Sequence, residues 1–188
     1  MDFDKPLNLP CARLRVKRCD DGIVRVYDRL RDKFVALTPE EWVRQHFVGY
    51  LVDHLGYPQG LLANEVSLSL NSTRRRCDTV LFCRPGEMYD VGRGPGGESV
   101  FTLGNLRPLA IVEYKAPDVA ITQKTFDQIA RYNLVMGARL LIVSNGLSHF
   151  CCVLSPRGYR FLRGIPRYGD IAPLLVKYLS QDNTDTDN

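Results

Sequence analysis

The chain has 188 residues, 45% of them hydrophobic and 24% charged. That is long enough for one compact domain with a real core, and ordinary for a soluble globular protein. Lys and Arg total 25 against 21 acidic residues, a balance of +4 that permits a polyanionic partner without demanding one. Acidic and amide residues gather in the tail from Gln181 to Asn188, so the rest is more basic than the total. No signal peptide and no apolar run of membrane length is visible, so a cytoplasmic protein without a membrane partner is expected. Cys11, Cys19, Cys77, Cys83, Cys151 and Cys152 form no C-x-x-C unit and have no His at finger spacing, which argues against zinc. The last four lie in apolar segments and read as small core residues.

In chain order, Ala12 to Lys17 and Ile23 to Tyr27 flank a turn-like Cys19-Asp20-Asp21-Gly22 and predict a β-hairpin. Thr38-Pro39-Glu40-Glu41 opens a helix: Thr38 is a good N-cap, Pro39 suits the first turn, and Glu41 completes a capping box. Val43, Phe47, Tyr50, Leu51 and Leu55 give that helix an apolar stripe, and Gly56-Tyr57-Pro58 ends it. Three strands follow: one through Val66, Leu68 and Leu70, then Cys77 to Cys83, then Leu109 to Tyr114. Arg84 to Arg107 is rich in Gly and Pro and reads as a long excursion or an extra hairpin. A helix is expected over Thr122 to Met136, stopped by Gly137. Leu140 to Val143 is a short apolar strand, and Phe150 to Leu154 with Tyr159 to Leu162 makes a hairpin. A last helix spans about Ile171 to Leu179. This order predicts a mixed sheet flanked by helices, in one domain over residues 1–180 with a disordered polar tail over 181–188.

Three polar side chains stand out. Asp78 follows Arg-Arg-Arg-Cys and leads into Thr-Val-Leu-Phe, while Glu113 and Lys115 stand in Leu-Ala-Ile-Val-Glu-Tyr-Lys-Ala-Pro. An unpartnered charge is costly inside a buried strand. Strand side chains alternate, so Glu113 and Lys115 share one face and Tyr114 points to the other. Two carboxylates with an ammonium make a metal-plus-lysine centre suited to phosphodiester hydrolysis. A hard cation such as magnesium takes carboxylate and carbonyl oxygens, so Asp78, Glu113 and the Tyr114 carbonyl are the candidate ligands. Lys115 would orient the attacking water or steady the phosphate. The bland alternative is a same-face Glu113–Lys115 pair on an exposed strand edge.

Asp78 followed by Glu113-Tyr114-Lys115 resembles the D…(E)xK signature of the PD-(D/E)xK nucleases, which have a restriction-endonuclease-like fold. Glu41-Trp42-Val43-Arg44, Leu55-Gly56-Tyr57-Pro58, Asn64-Glu65-Val66, Arg76-Cys77-Asp78 and Gln128-Ile129-Ala130-Arg131-Tyr132 follow in order. Together they resemble the N-terminal nuclease domain of type I restriction enzyme R subunits, over roughly Thr38 to Ser144. The resemblance implies an α/β fold with a mixed β-sheet flanked by helices, carrying here an added N-terminal hairpin. It also implies a magnesium-dependent DNA endonuclease, with manganese as a substitute and a protein partner supplying specificity or motor activity. Glu41 would face the metal centre, and Gln128 and Tyr132 would match a Q-x-x-x-Y motif on one helix face. Two departures are Cys77, where a proline often stands, and the Arg84 to Arg107 insertion.

Each motif has a plainer alternative. Glu41 needs only its capping role, and Gln128 and Tyr132 could be a solvated helix face. Arg74, Arg75 and Arg76 either grip a phosphate backbone beside the site or form a solvated turn. Gly92 to Gly97 lacks the ending of a phosphate cradle. His46, His54 and His149 have no ligand spacing, Ser144 has no Ser-His-Asp logic around it, and Glu65 simply begins a strand. The rival to the enzyme is a nucleic-acid-binding or assembly module that keeps the nuclease fold without turnover.

Overall fold

The structure, a computed structural model, describes residues 6–70, 73–84, 86–87, 101–155 and 158–180. The chain begins with a small antiparallel sheet of β1 (Val16–Arg18), β2 (Val24–Asp28) and β3 (Lys33–Ala36). The first two strands are the expected hairpin. The third was not expected from Lys33-Phe34-Val35-Ala36, a four-residue run that gains its identity from pairing, with Phe34 opposite Tyr27 and Val35 opposite Val26.

Helix α1 (Pro39–Gly49) starts at Thr38, whose Oγ1 accepts the Glu41 N–H at 3.1 Å. Only that half of the expected capping box forms, because the Glu41 carboxylate turns to the guanidinium groups of Arg31 and Arg44 instead. Charged donors outbid a single backbone amide. A π-helical turn, Tyr50–His54, prolongs α1, and Gly56 (φ 75°) then takes the left-handed conformation that ends it.

The main sheet is six-stranded, with β4 (Leu62–Leu70), β5 (Thr73–Cys83), β6 (Arg107–Tyr114), β7 (Leu140–Ser144), β8 (His149–Ser155) and β9 (Gly158–Phe161) side by side in chain order. β6 and β7 are parallel and the other neighbours antiparallel. A parallel pair needs a crossover, supplied by α2 (Gln123–Met136), which Thr122 caps and Gly137 closes at φ 64°. The predicted mixed sheet with flanking helices is therefore present. β5 reaches back to Thr73, so Arg74, Arg75 and Arg76 lie in a strand rather than a turn, with all three side chains exposed. Of the Arg84 to Arg107 excursion, residues 85 and 88–100 lie outside the described residues, and so do Gly92 to Gly97 and the 181–188 tail. Its return is anchored by the Phe101 N–H on the Val135 carbonyl of α2, at 3.1 Å.

Strand alternation sorts the core into two layers. Val43, Phe47 and Leu51 of α1 and its extension, with Ile171 and Leu175 of α3 (Ile171–Ser180), cover Val112, Tyr114 and Ile142. Ile129 and Met136 of α2 cover the opposite face, with Ile111, Leu141 and Val143. Cys77, Cys83, Cys151 and Cys152 are buried in these layers as expected. The alternation breaks at Glu65, a non-glycine with φ 58°. Leu62 belongs to the α1 layer but Leu68 to the α2 layer, six residues of constant parity later. Asp78 stands opposite Glu65, since Asn64 pairs with Thr79 and Val66 with Cys77.

The small sheet is fastened to β4 by a buried polar network. Asn64 Nδ2 donates to both oxygens of Asp28, at 3.1 and 2.9 Å, and its Oδ1 accepts the Thr79 hydroxyl at 2.5 Å. Burial pushes the fully buried Asp28 carboxyl up, but Asn64, Arg31 and the Leu30 N–H together hold it below its ordinary 3.8. Such a group stabilises the fold above the unfolded value, and the contribution disappears as pH falls through the lower folded value. Asn64→Ala should cost about 1–3 kcal/mol at neutral pH in urea titrations, and acid unfolding should begin at a higher pH than in the wild type.

Candidate active site

β5 and β6 pair as far as Thr79 opposite Val112. The next residues, Asp78 and Glu113, stand where the two strands part, at the end of the sheet next to the switch at Glu65. The Asp78 carboxylate spans the gap: Oδ2 accepts the Tyr114 backbone N–H at 2.8 Å, and Oδ1 accepts Arg44 Nη2 at 2.9 Å. Glu113 has a relative exposure of 4%, which rules out the pair on an exposed edge. Its Oε1 accepts Lys115 Nζ at 2.7 Å and Gln128 Nε2 at 2.5 Å. Gln128 also reaches Lys115 through Oε1 at 3.4 Å and the Tyr132 hydroxyl through Nε2 at 3.3 Å. Strand periodicity and helix periodicity thus meet in one chain of contacts, Lys115–Glu113–Gln128–Tyr132. Sequence reasoning placed all four, and Asp78, at one site, and the structure brings them to one cavity of about 530 Å³. Arg74, Arg75 and Arg76 line the same cavity.

Glu41 is placed differently. Its carboxylate, behind the cavity wall, is held by Arg31 at 3.2 Å, Gln45 at 2.8 Å and Arg44 at 3.3 Å, while Glu40 and Arg44 line the cavity. Two residues that sequence reasoning left without a role belong to the site. Arg44 Nη1 lies 2.5 Å from Glu65 Oε1, and Glu65 Oε2 lies 2.9 Å from Arg76. Arg44 therefore bonds carboxylates from α1, β4 and β5 at once, with a nearly buried side chain. A signal existed: Glu41 and Arg44 are three apart in a helix, and the run that contains them preceded two further motifs bearing Glu65 and Asp78. A second unforeseen contact joins the Ser144 hydroxyl to His149 Nδ1 at 2.8 Å. It is no catalytic dyad, because Ser144 is fully buried and out of reach of a substrate.

The electrostatics follow from burial. Burial pushes Asp78 up, with Arg44 and the Tyr114 N–H pulling the other way. Burial, then the Asp78 charge, pushes Glu113 up to about 7, against the pull of Lys115. Lys115 is more open; burial works against its charge, but the hydrogen bond to Glu113 prevails and raises it. Burial likewise opposes the Arg44 charge, and Asp78, Glu41 and Glu65 outweigh it. Two desolvated carboxylates in one cavity favour a cation between them. Among the described residues no group of three or more His, Cys, Asp or Glu forms a metal cage. A hard divalent ion that keeps several waters needs only one or two carboxylates, so Asp78 and Glu113 suit magnesium and not a closed zinc site.

Residues 39–166 match the family model described as the type I restriction enzyme R protein N terminus, and the chain belongs to this family. No curated protein and no solved structure matches the chain. The family match runs past Ser144, where the resemblance read from the sequence stopped, and takes in β8 and β9. β1, β2 and β3 lie outside it. Among the described residues no helix is long and apolar enough to cross a membrane.

Arg44→Gln should be strongly destabilising, because it leaves carboxylates on three elements without their shared cation. Removing one partner of a buried ion pair costs about 3–5 kcal/mol, a loss readable as a fall in the urea midpoint.

Proposed function

We propose that this chain is a magnesium-dependent DNA endonuclease domain of the PD-(D/E)xK type, acting in the cytoplasm. The observation that carries the reading is the convergence of Asp78, Glu113 and Lys115 in one cavity rimmed by three exposed arginines. Asp78 and Glu113 are the residues that would hold the ion, with the Tyr114 carbonyl as a third oxygen, and manganese is expected to substitute. When bound, the ion supplies a Lewis acid for the scissile phosphate and lowers the pKa of a coordinated water. Lys115 places its ammonium beside the reacting oxygens, where it orients the water and offsets developing charge. Gln128 holds both Glu113 and Lys115, and Tyr132 braces Gln128. Glu41 supports the centre through Arg44, which holds Asp78. Arg74, Arg75 and Arg76 contact the phosphate backbone. Membership of the type I R family supports DNA as substrate and a protein partner that supplies motor activity or specificity.

One observation favours the rival reading of a binding module without turnover. Asp78 already has both oxygens engaged, by Arg44 and by the Tyr114 N–H. Cleavage decides between them. Incubated with magnesium or manganese, the wild type should nick plasmid DNA, and Asp78→Ala should reduce this to background. Lys115→Ala should lose at least about 100-fold, in the range of a positioned proton-transfer or charge-stabilising group. If the folded wild type leaves DNA intact with either ion, the enzyme reading fails.

Metal affinity should also depend on pH. Below the Glu113 value of about 7 the incoming ion must displace a proton, and above it none. Manganese binding measured by calorimetry should tighten from mildly acidic pH up to about neutral and then level off, with proton release only on the acidic side.

A further inference from the structure

The cavity at Asp78 continues into a second depression of about 390 Å³, lined by Arg75, Lys124, Gln128, Arg131 and Tyr132. Arg75, Gln128 and Tyr132 line both. The two differ in charge. The first mixes arginines with Glu40, Glu65, Asp78 and Glu113, as a site for a metal ion and a phosphate should. The second has three cations and no acidic side chain among its lining residues, so it suits anions and repels a metal ion.

We propose that this second depression is a phosphate-binding track, in which Arg75, Lys124 and Arg131 grip the nucleic-acid strand beyond the scissile phosphate. The inference rests on the nuclease reading of the first cavity and extends it outward across α2. Lys124, Gln128, Arg131 and Tyr132 are spaced i, i+4, i+7 and i+8, so they lie along one face of the helix. From Lys124 to Arg131 the helix axis advances about 10 Å, the length of about three phosphates on one strand of a duplex. Lys124 and Arg131 are exposed, and neither they nor Arg75 form an ion pair among the described residues. The neighbouring acid, Asp127, accepts Gln123 Nε2 at 2.9 Å with its carboxylate, and gives Arg131 Nε only its backbone carbonyl, at 3.2 Å. The guanidinium is therefore anchored at its root with its charge left uncompensated.

The one amide of the track, Gln128, spends both polar atoms on Lys115, Glu113 and Tyr132, so it is not free to read a base edge. Arg75, Lys124 and Arg131 are assigned to phosphates, a grip independent of sequence. Arg75, shared by both depressions, hands the strand from one to the other.

The test is fluorescence anisotropy with labelled duplexes of about 20 base pairs, in two unrelated sequences, between about 50 and 200 mM salt. Lys124→Ala combined with Arg131→Ala should weaken binding roughly tenfold or more and make the log–log salt slope shallower by about 1.8, or about 0.9 per cation. The loss should be equal for both sequences. Lys124→Arg with Arg131→Lys should restore binding, and manganese affinity at Asp78 and Glu113 should be unchanged throughout. If the wild type binds and cuts DNA while the double alanine variant binds equally well with the same salt slope, the track is overturned and the nuclease reading stands. It is equally overturned if the double variant loses manganese affinity, or if the loss differs between the two sequences. If the wild type neither binds nor cuts DNA, the nuclease reading falls first and the track with it.

Discussion

The Arg44 guanidinium is the contact on which the site depends. It sits nearly buried between Glu41 on α1, Glu65 on β4 and Asp78 on β5. Burying one cation with three carboxylates is unfavourable unless the charges are hydrogen-bonded; here Gln45, Arg31, Arg76 and the Tyr114 N–H also bind the carboxylates, while Arg44 Nε has no hydrogen-bond partner among the described residues. The result is a rigid back wall. Asp78 is held from behind by the Arg44 side chain and from the side by the Tyr114 backbone N–H of β6. A positioned carboxylate pair of this kind is what a hard, strongly hydrated ion needs from a protein.

The sheet makes that geometry available. Parallel pairing of β6 and β7 brings α2 across the face that carries Glu113 and Lys115, so Gln128 arrives directly above them. The end of the β5–β6 ladder frees Asp78 from pairing with β6 alone, and the face switch at Glu65, opposite it on β4, lets it reach the α1 layer as well. Side chains from both layers therefore meet at one sheet end. The three-stranded N-terminal sheet adds a second support, since Arg31 from its β2–β3 turn bonds Glu41 while Asp28 and Asn64 tie that sheet to β4.

Much of this was legible in the sequence where periodicity and chemistry agreed. Glu113 and Lys115 share a face because strands alternate, and Gln128 and Tyr132 because helices repeat near four. The apolar runs around Asp78 and Glu113 announced burial. What escaped were contacts that only tertiary pairing creates. Lys33-Phe34-Val35-Ala36 is too short to declare itself a strand without its partner. Glu65 gave no sign of its positive φ, an uncommon conformation for a glutamate. Glu41 read either as a capping residue, because the local rule is strong, or by resemblance as facing the metal centre; two guanidinium groups, one distant in the chain and one a helical turn away, hold its carboxylate instead. Arg44 went unassigned because its three partners are spread over 38 positions of chain, from Glu41 to Asp78.

The central claim is that Asp78 and Glu113 form one metal-binding pair beside Lys115. Anomalous diffraction from crystals soaked in manganese tests it most directly. The account predicts a single strong peak between the two carboxylates, with an oxygen of each about 2.1 Å away and Lys115 next to the ion's water shell. A crystal in which Arg44 and Lys115 keep Asp78 and Glu113 to themselves, with no peak between them, would contradict it.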